Sequence, residues 1–385
     1  MPLINYPLTL QVLAALAVAL IISLLATPPV KWFAERVGAM DVPKDNRRVH
    51  KTPIPRLGGL AIFVGFVLSV VIFAEIDRQI QGILLGSVLI VAVGVVDDIM
   101  PLRAWQKFLA QIVAALIPIF HGLTIYLVSN PNIFSPEPYL SFGVFTIPLT
   151  VIWIVGITNA VNLIDGLDGL AVGVSTIATL TMLVVALLVT ADGNVALILA
   201  ALAGACLGFM PYNLNPAKIF MGDTGALLLG YLLATMSILG LFKFYAIISF
   251  VVPFMALALP ILDTLFAIVR RLIKKQSPMT PDRGHLHHRL LDLGFSQKQA
   301  VFIIYLVSGF LGMIAVIMTS SGDVRIVFTF LTFAVLAVTV FIVSRGTLLK
   351  PNGNGKNKDC DCAAPPETNP EVEGQVRIGD DHESE

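Results

Sequence analysis

Apolar runs long enough to cross a bilayer recur along almost the whole chain, and this limits the fold more than any motif does. A helix needs about 20 apolar residues to span the hydrocarbon core. Such runs lie near 8–29, 57–74, 80–96, 107–128, 144–159, 169–190, 194–211, 224–242, 244–269, 299–319 and 324–344. In lipid every backbone N–H and C=O must find an internal partner, so spans of this kind are helices. Composition agrees, with 56% of residues hydrophobic and 13% charged, against about 25% charged in soluble domains. The expected fold is all-α, a polytopic transmembrane helical bundle of about eleven spans. The stretches 184–189 and 314–318 are apolar on every side, as lipid-facing spans should be. Met1 to Thr9 carries no basic region and no small-residue cleavage site follows, so the first run reads as a span.

Basic residues are sorted by side. Of the 25 Lys and Arg, all but Arg78, Lys243 and Arg325 fall in the tail or in loops after odd-numbered spans. By the positive-inside rule those loops are cytoplasmic and the N-terminus is outside. A multi-pass protein of the cell's inner (cytoplasmic) membrane is expected, in contact with membrane lipid; nucleic acid is not an expected partner. The membrane domain covers 1–349. Residues 350–385 are polar, without apolar periodicity, and are expected to form a disordered cytoplasmic tail. Cys206 lies in an apolar run and Cys360 and Cys362 in the tail, which is no disulfide framework. Trp32, Trp105 and Trp153 sit near span ends, where tryptophan anchors to the interface.

Carboxylates gather on the cytoplasmic side. Asp97 and Asp98 end the third span. Asn159, Asn162, Asp165 and Asp168 then recur every three residues, which on a helix places four polar groups near one face. Gly166 and Gly169 leave room beside them for a ligand to approach the backbone. Asp223 and Thr224 stand where a span begins, and a helix N-terminus offers free N–H groups to a phosphate. His285, His287 and His288 occupy a further cytoplasmic loop with Arg283 and Arg289. Taken singly, each motif has a plainer reading: solvated loop residues for the Asp pair, helix caps for Asp165, Asp168 and Asp223. Joint placement on one face favours chemistry. Several carboxylates ringed by cations can hold Mg²⁺ and a pyrophosphate.

At these residues the chain resembles the polyprenyl-phosphate N-acetylhexosamine-1-phosphate transferases. The resemblance rests on VHKTPIPRLGG (Val49–Gly59), VDDIMPL (Val96–Leu102) with Lys107 following, NAVNLIDGLDGL (Asn159–Leu170), FMGDTGALLLG (Phe220–Gly230) and RGHLHHRLL (Arg283–Leu291). The His-Leu-His-His-Arg order resembles the bacterial N-acetylglucosamine branch more than the lipid I-forming branch, which usually carries three consecutive histidines. Some members have a third acidic residue after the Asp pair; here that position is Pro101, so no ligand carries over there.

The resemblance implies a cytoplasmic active-site cleft in a bundle of ten or eleven helices, and a homodimer. It implies transfer of N-acetylglucosamine 1-phosphate from UDP-N-acetylglucosamine to undecaprenyl phosphate, releasing UMP. The product would be the first lipid-linked intermediate of a cell-envelope glycan. Mg²⁺, or Mn²⁺ in its place, is the implied cofactor. Asp223 is the implied metal ligand, with Asp97 or Asp98; one of that pair instead keeps the acceptor phosphate deprotonated. Asp97, Asp98, Asp165, Asp168 and His287 form the implied catalytic set. Asn162, Asp165, Asp168 and Phe220 match positions at the uridine end. Asn159, Asn213, Lys107, Arg56, Arg283, His285 and His288 complete the implied substrate contacts. Two alternatives are an enzyme forming lipid I and an ion-coupled transporter; the second would use Asp263, inside the ninth predicted span.

Overall fold

The computed structural model describes residues 6–42, 52–129, 139–189, 193–240, 254–273, 285–320 and 322–344, and the apolar runs there fold mainly as helices, the fourth ending at Phe120 and passing into a strand at Leu127. In chain order they are α1 (Tyr6–Arg36), α2 (Gly59–Phe73), α3 (Arg78–Ile99), α4 (Ala104–Phe120), α5 (Thr146–Ile164), α6 (Leu170–Val189), α7 (Gly193–Asn213), α8 (Gly222–Gly240), α9 (Ala258–Ile273), α10 (Leu286–Asp292), α11 (Gln297–Thr319) and α12 (Gly322–Ser344). Among the described residues, seven helical segments are long and apolar enough to cross a membrane: α1, α3, α5 with its preceding turn, α6, α7, α8 and α11. The expected spans at 57–74, 107–128 and 324–344 hold shorter apolar stretches, and much of the ninth lies outside the described residues. So does the tail. The chain is an all-α polytopic membrane protein.

α8 is the axis. Every residue from Thr224 to Gly240 is buried, with α2, α3, α5, α6 and α7 packed around it. Between membrane helices, small residues allow close backbone approach. Gly59 of α2 lies against the backbone of Gly225, and Gly94 of α3 against the backbone of Thr224; a Cβ at either glycine would overlap that backbone. These two contacts pin the entry of α8 between two neighbours.

Three sequence expectations change in detail. α1 runs through Pro28 and Pro29 to Arg36 instead of ending near 29. The all-round apolar stretch 184–189 does not simply face lipid. Val185 and Ala186 are buried because α6 lies against α7, α8 and α11. Trp153 is half-buried and donates its indole N–H to Ser237 Oγ at 3.0 Å, so it joins α5 to α8; Trp32 and Trp105 are exposed as anchors should be.

Two small antiparallel pairs complete the frame. β1 (Met40–Asp41) pairs with β2 (Ile54–Pro55), and β3 (Leu127–Ser129) with β4 (Tyr139–Ser141). After β2, Arg56 bridges Phe220 in parallel fashion. Leu57 then takes φ 108°, a strained value for a branched side chain, with its side chain fully buried beside Ala34 and Ala39. This sharp exit sets Arg56 beside Phe220 and starts α2 directly against α8.

Candidate active site

The loop between α5 and α6 determines much of the site. α5 stops at Ile164, with Asp165 as its C-cap residue, and Gly169 turns the chain at φ 78°. The three-residue spacing therefore does not lie on one helix. Asn159 and Asn162 are helical; Asp165 and Asp168 stand on the loop that follows. Gly and Asp both favour leaving a helix here.

Asp97 and Asp98 diverge because neighbouring helical residues point about 100° apart. Asp98 faces the N-terminus of α8. Its Oδ1 accepts the Asp223 N–H at 3.0 Å, and its Oδ2 accepts the Thr224 N–H at 3.0 Å and the Thr224 hydroxyl at 2.7 Å. The free N–H groups expected at that helix start are thus met by the protein's own carboxylate. Asp97 faces α4. Lys107 Nζ lies 2.6 Å from Asp97 Oδ2 and 2.6 Å from Asp223 Oδ2. Asp97 Oδ1 accepts the Leu102 N–H at 2.7 Å, and Asp223 Oδ1 accepts from Asn162 Nδ2 at 3.0 Å.

A cavity of about 320 Å³ opens beside this cluster. Its walls carry Asp98, Asp165, Asp168 and Asp223, and also Asp41, with Arg56 and His288 as cationic or titratable counterparts. Asn162, Asn213 and Phe220 line it too. Asp168 accepts from Asn215 Nδ2 at 2.9 Å and from the Ala217 N–H at 3.1 Å, which fixes the turn leading to Phe220. Asn213 ties the same region: its Oδ1 accepts the Gly169 N–H at 3.2 Å and its Nδ2 donates to the Ile219 carbonyl at 3.1 Å. Asp97, Lys107 and Asn159 are not in the cavity wall. Asn159 exchanges hydrogen bonds with Gln111 of α4.

The histidines divide among three jobs. His285 Nδ1 lies 2.9 Å from Asp263 Oδ2, and Asp263 Oδ1 accepts the Leu286 N–H at 2.9 Å. Asp263, the transporter reading's residue, is therefore a partner that starts α10. His287 is buried and its ring lies against Gly166, where an added Cβ would overlap it. His288 reaches the cavity wall. Arg283 lies outside the described residues.

Burial, then the charges of His288 and His285, push His287 from 6.5 down to about 4. It is a neutral imidazole at pH 7. The unfolded chain binds this proton below about pH 6.5 while the native protein refuses it until about pH 4. Native stability is therefore complete above pH 6.5 and falls as pH drops through that window, by at most about 3 kcal/mol. Melting followed from pH 7 to pH 4 should show a smaller loss for His287→Gln than for the unmodified protein. Equal losses would mean the ring titrates normally.

The cavity is short of positive charge. Among the described residues nothing donates a hydrogen bond to Asp165. Burial, then the charges of Asp223, Asp98 and Asp168, push its carboxyl up to about 7. No three His, Cys, Asp or Glu side chains among the described residues form a ready metal cage. A Mg²⁺ ion usually takes only one or two carboxylates and completes its shell with water and substrate phosphates. The chemistry of this donor set, acidic and partly without partners, fits that mode.

Comparison with known proteins assigns the family. Residues 80–241 match Glycosyl transferase family 4. A probable undecaprenyl-phosphate N-acetylglucosaminyl 1-phosphate transferase of Bacillus subtilis (strain 168) is 44% identical over 321 residues, covering 82% of this chain and 87% of that protein. The chain belongs to glycosyl transferase family 4. This family 4 chain is also 39% identical over 315 residues to a decaprenyl-phosphate N-acetylglucosaminephosphotransferase of Mycobacterium tuberculosis (strain CDC 1551 / Oshkosh), covering 75% of the chain and 78% of the relative. A phospho-N-acetylmuramoyl-pentapeptide-transferase of Desulfitobacterium hafniense (strain DSM 10664 / DCB-2) is 31% identical over 340 residues, covering 81% and 98%.

Sequence reasoning passed over four residues of this family 4 site. Asp41 meets Arg56 in an ion pair at the cavity wall. Gln111 holds Asn159. Asn215 bridges Asp168 and Gln297, donating to Gln297 Oε1 at 2.8 Å. For Asn215 a signal existed, since it sits inside PYNLNPAKIF (Pro211–Phe220). Asp41, Gln111 and Gln297 carry no local pattern that separates them from ordinary loop or helix residues.

Proposed function

We propose that this chain transfers N-acetylglucosamine 1-phosphate from UDP-N-acetylglucosamine to undecaprenyl phosphate, releasing UMP, in a Mg²⁺-dependent reaction. The observation that carries the proposal is the identity with the Bacillus transferase over 87% of its length; the geometry supplies a site able to do the chemistry. An acceptor phosphate oxygen attacks the sugar-linked phosphorus, a new P–O bond forms, and the bond to UMP breaks. Two anions meet, so neutralising charge is the main demand. Bound at Asp223, with Asp97 or Asp165 as the second carboxylate, Mg²⁺ would neutralise the pyrophosphate and the departing UMP.

The chain's own residues do the rest. Phe220 offers a ring for the uracil to stack on, with Asn162 and Asp168 near the uridine. Arg56, held in place by Asp41, and His288 bring donors to the phosphates from the cavity wall. With three of its acceptor positions filled by α8, Asp98 positions that helix. Asp97, outside the cavity wall but joined to Asp223 through Lys107, is then the member of the pair left for the acceptor's proton or for the metal. For the lipid tail, an apolar cavity of about 580 Å³ runs between α9, α10 and α11. Leu262, Phe266, Val307 and Leu311 line it, with Arg270 and Arg289 also in its wall. The tail is its proposed occupant.

The proposal places the active site and C-terminus on the cytoplasmic side of the inner membrane, with the N-terminus outside and the protein a homodimer. The lipid I reaction is the second reading, favoured by the Desulfitobacterium relative. One assay separates them. Purified protein, undecaprenyl phosphate and Mg²⁺ are given UDP-N-acetylglucosamine in one tube and UDP-N-acetylmuramoyl-pentapeptide in another. UMP release in the first, requiring both lipid and Mg²⁺, is the expected result. Release in the second alone would make it the lipid I enzyme.

A further inference from the structure

We propose that Lys107 is an internal cation that holds the Asp97 and Asp223 carboxylates together and yields its place to a divalent cation when one binds. This rests on the metal-dependent reading above. The ammonium lies 2.6 Å from an oxygen of each carboxylate. Two carboxylates aimed at one point repel unless a cation or a shared proton lies between them. Lysine is the cation the chain itself supplies there.

The position is built. Gln111, one turn beyond Lys107, is buried and tied to Asn159, which fixes α4 against α5. Asn162, three residues after Asn159, donates to Asp223 Oδ1, while the Leu102 N–H donates to Asp97 Oδ1. Each carboxylate therefore has one oxygen held by a neutral donor and the other turned toward the same ammonium. The neutral donors set orientation and leave the shared point to whichever cation holds it.

An ammonium and Mg²⁺ seek the same oxygens, and Mg²⁺ needs them at about 2.0–2.1 Å. Both cannot sit at one point. The lysine side chain is 27% exposed, and its flexible four-carbon stem can swing without moving the backbone. Metal entry would thus release a tethered ammonium beside Asp223, a residue of the cavity wall, where it could turn to the substrate's phosphates. A lysine that merely bridged two acids would stay put.

The test uses the full-length protein in detergent without substrate and Mn²⁺ as the probe. Free Mn²⁺ is read by electron paramagnetic resonance for the unmodified protein, Lys107→Met and Lys107→Arg. Removing the competing charge should tighten Mn²⁺ binding in Lys107→Met by about tenfold or more, with no tightening in Lys107→Arg. A second measurement needs no variant. The acylation rate of Lys107 by a water-soluble amine reagent, followed by mass spectrometry, should rise several-fold when Mn²⁺ saturates the site. Unchanged or weaker Mn²⁺ binding in Lys107→Met, or flat acylation if that variant does not fold, would overturn the exchange and leave the metal reading intact. Absence of Mn²⁺ binding to all three proteins would overturn both.

Discussion

Asp223→Asn is expected to abolish transfer while leaving the fold in place. The expected loss in kcat/KM is at least about 10³-fold, or ~4 kcal/mol of transition-state stabilisation, with a melting midpoint in detergent within a few degrees of the unmodified protein. The asymmetry follows from where Asp223 stands. Its backbone N–H helps to start α8, and Asn keeps that N–H. Its side chain faces the cavity, is 28% exposed, and links Lys107 of α4 with Asn162 of α5. Asn retains the size and one acceptor but not the charge. A site that must bring two anions together then loses the carboxylate that links α4 to α5, and Lys107 keeps only Asp97. Near-normal turnover in this variant would remove Asp223 from the charge-handling part of the site. A large fall in the melting midpoint would make it a structural residue instead.

Much of this arrangement is readable before any coordinates. Helix positions follow from runs of apolar residues, because the bilayer leaves the backbone no other partner. Convergence of Asp97, Asp98, Asn162, Asp165 and Asp223 follows from sorting loops by side, since elements ending at one face share a small area. What the sequence withholds is orientation at single-residue resolution. Asp97 and Asp98 look identical in VDDIMPL, yet one meets a lysine and the other a helix start, because α4 and α8 approach α3 from different sides. Asn159 and Asn162 look equivalent too. One faces Gln111 and the other Asp223. The end of α5 at Ile164 was hidden for a similar reason: a three-residue spacing continues into the loop and imitates a helix face. Short apolar stretches such as Gly59–Phe73 are also ambiguous, since bilayer length and helix length need not coincide.

Asp98→Asn is expected to lower stability where Asp223→Asn does not. The Asp98 carboxylate takes three donors from the first turn of α8, two backbone N–H groups and one hydroxyl, in a buried setting. An amide has one oxygen. Whichever way it turns, its NH₂ group meets at least one N–H, and a donor facing a donor is left unmade. A lost cap and a buried unsatisfied N–H together amount to about 3 kcal/mol. There is little room to relax, because Gly94 lies against the Thr224 backbone, Gly59 against Gly225, and a Cβ on Gly222 would collide with the Asp98 carboxylate itself. Thermal denaturation in detergent should show a clear drop for Asp98→Asn and almost none for Asp223→Asn, although both variants lose transfer. Equal melting midpoints for the two would show that Asp98 does not organise α8. Its carboxylate would then return to the reaction as a candidate equal to Asp97. The same pair of measurements therefore decides whether Asp98 builds the site or works in it.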